Sequence, residues 1–114
     1  MVPIEDVNKV QEFINLYLPE PSLELAKDEF DTYSYSRWIA QTILYSLYEY
    51  TEQSPFSCCG RELVTTKDIL YSNEAYFDSL ASINGEKQGV FIIALDTIHK
   101  IINFLIKGEI DDLG

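Results

Sequence analysis

Three groups of side chains in this 114-residue chain have the types and spacing to do chemistry. The first is Asp96 and His99, three residues apart on a helical stretch. That is half of the carboxylate–histidine pattern that holds a metal pair inside a helical bundle. A complete site needs a second such pair and further carboxylates, and the chain has one histidine. Asp96, His99, Lys100 and Asn103 also fall on one polar stripe, where solvent is expected. The second group is Cys58-Cys59. Zinc needs three or four ligands at defined spacing, and a nucleophilic thiol needs a base. His99 is the only histidine available for that role, so two inert loop thiols are expected. The third group is Glu24, Asp28 and Asp31, read as one helix face, with Asp111-Asp112 near the end. Carboxylates do acid–base work only where a pocket perturbs them, and these read as a solvated face. No glycine-rich phosphate loop and no Ser-His-Asp arrangement is present. No catalytic, metal or cofactor residue is expected.

One constellation is better suited to contact than to reaction. At 100° per residue, Ile39, Ile43, Leu47 and Tyr50 form a core stripe. Trp38, Gln41, Tyr45, Glu49 and Glu52 fall on a different side. Trp38 and Tyr45 lie about two turns apart on the same face. Tyr71, Glu74 and Asp78 repeat the theme on a later helix. Tryptophan and tyrosine are enriched at binding hot spots, and flanking carboxylates would select basic residues opposite them. The competing expectation is that a neighbouring helix covers Trp38 and Tyr45.

Charge agrees with that kind of role. The chain carries 19 Asp and Glu against 8 Lys and Arg, a net charge of −11. Such a chain repels nucleic-acid backbones and anionic membrane surfaces. A basic protein would instead be drawn to it. The first ten residues hold Glu5 and Asp6 and lack the apolar core of a signal peptide. The longest apolar run, 90–95, is far short of a bilayer span. A cytoplasmic protein is expected.

The elements that must position these residues read as helices. Val7, Val10, Phe13, Ile14 and Tyr17 give a first helix over 3–18, ended by Pro19 and Pro21. Ser22 is the expected cap of a second, 23–33, with Leu23, Ala26, Phe30 and Tyr33 on one face. A third spans 35–51; the stretch 33–36 reads as either a kink or a turn, which leaves open whether the second and third are separate. After a loop over 53–61, Thr65 or Thr66 caps a fourth, 67–83, with a stripe of Ile69, Tyr76, Phe77, Leu80 and Ile83. Asn84-Gly85 makes a turn. A fifth helix, 88–107, is apolar nearly all round, with Asp96, His99, Lys100, Asn103 and Lys107 as a narrow polar stripe. The acidic tail 109–114 is expected to fray.

The sequence therefore implies one all-α domain over 1–114, a compact bundle of four or five helices with an apolar C-terminal helix. The expected function is a small acidic, non-enzymatic protein-binding module, such as an inhibitor or immunity-type partner of a basic protein. The alternative is a structural homo-oligomer assembled through the 90–106 helix. A metal or small-molecule enzyme built on His99 and Asp96 stands third.

Overall fold

The computed structural model describes residues 1–55, 63–84 and 89–107. Its elements are α1 (Ile4–Tyr17), α2 (Lys27–Glu49), α3 (Thr66–Asn84) and α4 (Gly89–Ile102), the last running on into a π-helical turn, Asn103–Lys107. No strand occurs among the described residues. The expected all-α bundle is the fold, with four helices.

Helix α1 begins after Pro3, whose backbone is extended (φ −66°, ψ 141°). Glu5 and Asp6 occupy the first turn, where the positive end of the helix dipole favours acids. Val7, Val10, Phe13 and Ile14 are buried, as their spacing predicts. The N-terminal strap is held too. The Val2 N–H donates to the Tyr50 carbonyl at the end of α2 (3.1 Å).

The second and third expected helices are one. Ser22 does not cap a helix: its hydroxyl accepts from the Glu24 N–H (3.1 Å) and closes a turn instead. Leu23 and Glu24 therefore precede α2, and Leu23 is 92% exposed rather than core. Helix α2 starts at Lys27 and passes through Tyr33-Ser34-Tyr35-Ser36 without a break. Ser36 bonds back to the Thr32 carbonyl (3.1 Å), four residues earlier, so its hydroxyl rides on the helix rather than interrupting it. Two tertiary bonds fix the same stretch. The Tyr33 hydroxyl donates to the Pro19 carbonyl (2.7 Å), and Arg37 Nε donates to the Leu18 carbonyl (3.0 Å). Helix α1 has no basic residue in its own last turn, so Arg37 supplies one across the connection. Burial pushes the Tyr33 hydroxyl above its ordinary pKa, against the opposing effect of the Arg37 charge. Ile39, Ile43 and Leu47 are buried as expected, Ala40 and Leu44 are buried beside them, and Tyr50 of the same stripe is partly buried.

Helix α3 is capped by Thr65. Its hydroxyl accepts from the Asp68 N–H (3.2 Å), and Asp68 Oδ2 accepts from the Thr65 N–H (2.9 Å). That reciprocal pair satisfies two donors at the helix start. Thr66, one residue inside, donates its hydroxyl to Asp6 and ties the start of α3 to the start of α1. The expected α3 stripe needs correction. Leu70 joins Ile69 in the core, while Tyr76 is 60% and Ile83 79% exposed. Leu63 lies outside any strand.

Helix α4 is the hub. It packs on α2 and α3, and its π-helical continuation packs on α1. Ala94, Ile98 and Ile101 are fully buried. Phe104 of the π turn meets Phe13 and Tyr17 of α1 at ring distances of 5.6 and 6.2 Å. Taken whole, Gly89–Lys107 is long and apolar enough to cross a bilayer, with a mean hydropathy of 1.7 and 28% of its window buried. A core helix meets the same test of length and composition. The Cα radius of gyration is 14.8 Å, above the roughly 13 Å expected for this length. The 23-residue α2, about 35 Å long at 1.5 Å per residue, is the longest of the four helices.

Candidate functional site

Two surfaces carry the residues that the core does not use. The first is the outer face of α2. Ile39, Ile43 and Leu47 turn this helix's other side into the core, which leaves Trp38 56% and Tyr45 65% exposed. Among the described residues no helix covers either side chain, so the competing expectation fails. Glu49 is exposed one turn beyond Tyr45, Glu52 is exposed in the segment after the helix, where it lies with residues 1–5, and Gln41 is half-buried. The Trp38 ring lies 5.6 Å from that of Tyr35, tilted by 36°. Tyr35 is partly buried, and burial raises its hydroxyl pKa. The Trp38 indole is thus braced from one side and open on the other.

The second surface lies between α3 and α4. Here the polar stripe of α4 does not simply face solvent. Tyr71 and Glu74 of α3, Asp96, His99, Lys100 and Ile102 of α4, and Asn103 and Lys107 of the π turn enclose an open cleft of about 620 Å³. His99 Nε2 lies 3.0 Å from Glu74 Oε2, a bridge between the two helices. Lys100 Nζ pairs with Asp96 Oδ2 at 3.0 Å along α4. The Asp96–His99 pairing implied by their three-residue spacing is therefore not the one formed. Each partner is taken by a different residue. Among the described residues, no group of three or more His, Cys, Asp or Glu side chains converges as metal ligands would.

The structure divides the expected contact residues between these surfaces. Trp38, Gln41, Tyr45 and Glu49 belong to α2, and Glu52 to the segment after it. Tyr71 and Glu74 turn into the cleft. Asp78 is exposed one helical turn further along α3, where its carbonyl accepts from the Ser82 hydroxyl (3.0 Å). Sequence reasoning missed the cleft as a unit. A signal was present: α3 and α4 follow each other closely, so they pack side by side, and each carries a polar stripe on its flank.

The remaining acidic face is loosely organised. Asp28 and Asp31 are exposed, and Lys27 pairs with Asp31 at 2.7 Å. That contact, a hydrogen bond first and a charge attraction second, raises the Lys27 pKa. Asn84, expected in a turn with Gly85, is the last residue of α3; Gly85, Cys58, Cys59 and the tail 109–114 lie outside the described residues.

No protein-family model matches the chain, and neither a curated protein nor a solved structure shows significant similarity to it. The two surfaces are read from their own chemistry.

Proposed function

We propose that this chain is a small, acidic, non-enzymatic protein-binding module that meets a basic protein through the outer face of α2, in the manner of an inhibitor or immunity-type partner. One observation carries the reading. Trp38 and Tyr45 stand exposed two turns apart on a helix whose other side is fully used by the core. Large aromatic rings with polar handles give high contact area at low entropic cost. Glu49, one turn beyond Tyr45, and the net charge of −11 carried by the chain favour lysine and arginine opposite.

Capture from lysate at low and high salt, with wild-type protein and a Trp38→Ala/Tyr45→Ala variant, tests this. The expected result is retention of a basic protein at low salt, weakened by added salt and lost with the double variant. Each hot-spot ring contributes at least about 2 kcal/mol, so the two together reduce affinity by well over tenfold. Capture that ignores both salt and the two rings would overturn the proposal.

A second reading, a homo-oligomer assembled through residues 90–106, draws on a separate observation. Val90 and Ile92 of the most apolar helix are exposed, and no charge interrupts 89–95. Light scattering across a concentration series decides it: a monomer at millimolar concentration removes this reading and leaves the first untouched.

A further inference from the structure

The α3–α4 cleft has a composition that differs from the rest of the molecule. The chain has 8 Lys and Arg and one His in all. His99, Lys100 and Lys107 sit together in this cleft, with Asp96 beside them on α4 and Glu74 across from them on α3. A protein of net charge −11 thus holds one concave site where positive and negative groups balance.

The backbone is unusual at the same place. Helix α4 changes to π-helical winding at Asn103–Lys107, and the first and last residues of that turn both line the cleft. π turns are rare and recur at functional sites. Here the turn serves two packing demands. It delivers Phe104 to the Phe13–Tyr17 pair of α1 while Asn103 and Lys107 reach the cleft.

The existing pairs also leave groups over. Glu74 takes His99, and Asp96 takes Lys100. Among the described residues, no side chain pairs with the Lys107 ammonium, the Asn103 amide or the Tyr71 hydroxyl. These are one cation and two neutral hydrogen-bonding groups, set around a cleft whose volume falls within the range of small-molecule sites. Ile102, buried and apolar, adds the one aliphatic surface in the lining.

We propose that this cleft binds a small zwitterion of the α-amino-acid type. The ligand's carboxylate meets Lys107, with Asn103 and Tyr71 donating hydrogen bonds to it. Its ammonium meets the Glu74 and Asp96 carboxylates, which already lie at the cleft in pairs that a second cation can share. A purely anionic ligand would face those two carboxylates and the field of the whole chain. A purely cationic ligand would face Lys100 and Lys107. A ligand carrying both charges satisfies both sides and adds no net charge.

The proposal is independent of the α2 face, and its test distinguishes the two. Backbone and side-chain NMR signals of the whole chain are followed during titration with neutral L-α-amino acids, sodium acetate, inorganic phosphate and ethylammonium. The expected result is saturable shifts at Tyr71, His99, Asn103 and Lys107 with at least one amino acid, at a Kd of about 1 mM or tighter. Acetate, phosphate and ethylammonium leave those signals in place. Lys107→Met, at an exposed position, weakens binding about tenfold without loss of fold, and Glu74→Gln weakens it as well. Trp38→Ala has no effect on it. Equal shifts with phosphate or acetate would replace the proposal with a simple anion site. Absence of saturation with every amino acid, or an unchanged Kd in Lys107→Met, would overturn it.

Discussion

The outer face of α2 and the α3–α4 cleft are both made of side chains that the core leaves out, yet they are organised in opposite ways. On α2 two aromatic rings stand exposed, with Glu49 one turn beyond the second, on a helix whose buried residues are all apolar. In the cleft, acids and bases alternate, and they tie two helices together through the Glu74–His99 contact at 3.0 Å. The first arrangement suits a large partner that brings its own opposite charge. The second has spent most of its charge internally and leaves only a few groups to direct a small ligand. One polar surplus therefore has two physical outcomes. Which one results depends on whether the residues face open solvent or a second helix.

The largest expected effect tests the two sides of α2 against each other. Leu47 is completely buried, so Leu47→Ala should cost about 2–5 kcal/mol in chemical denaturation. Trp38→Ala, on the same helix, should stay within about 0.5 kcal/mol, as surface substitutions do. A cost for Trp38→Ala close to that of Leu47→Ala would move the α2 face into the core and erase the comparison.

An intermediate effect concerns the α3 wall of the cleft. Thr66 donates to the Asp6 carboxylate and joins two helix starts 60 positions apart. Thr66→Val keeps the shape and removes that bond, and should cost about 1–2 kcal/mol. The loss should appear as faster amide exchange at the starts of α1 and α3, with the α2 face unchanged. Equal loosening of α2 would show that the two regions are not separable.

The smallest effect is one of pH. The Thr65 backbone N–H first, and its hydroxyl second, hold the Asp68 carboxyl below the usual carboxylate range. A folded value below the unfolded one stabilises the protein above the ordinary carboxylate range. That contribution is lost as pH falls through the lowered value. Asp68→Ala should therefore give a shallower decline of melting temperature below about pH 4 than the wild type, and a parallel curve above it. Identical acid limbs would remove this cap from the account of α3.

Much of the architecture was legible in hydrophobic spacing. Val7, Val10, Phe13 and Ile14 in α1, and Ile39, Ile43 and Leu47 in α2, recur at helical intervals and are buried. The division of α2 into two helices was not, because the signals at 22 and 33–36 are local and the deciding bonds are not. Ser22 caps convincingly in sequence, yet it closes a turn. Tyr33 and Arg37 hold α2 straight by reaching carbonyls 14 and 19 positions back, and no window along the chain contains that information. The α3 stripe failed at Tyr76 and Ile83 because apolar character alone does not say where a helix outruns its neighbour. Exposure of Trp38 and Tyr45 turned on which side of α2 its neighbours occupy, which spacing leaves open. For the cleft, the stripe Asp96, His99, Lys100, Asn103 and Lys107 was readable. Its opposite wall, Tyr71 and Glu74, became visible only when α3 was laid against α4.

Trp38 is the chain's single tryptophan, and it sits at the surface beside the ring of Tyr35. The near-ultraviolet emission of this protein is therefore a property of its α2 face and not of its interior. Its native spectrum should already resemble that of a hydrated indole. Unfolding will then change it little, whereas anything that settles on α2 and removes water from that ring will shift it to the blue.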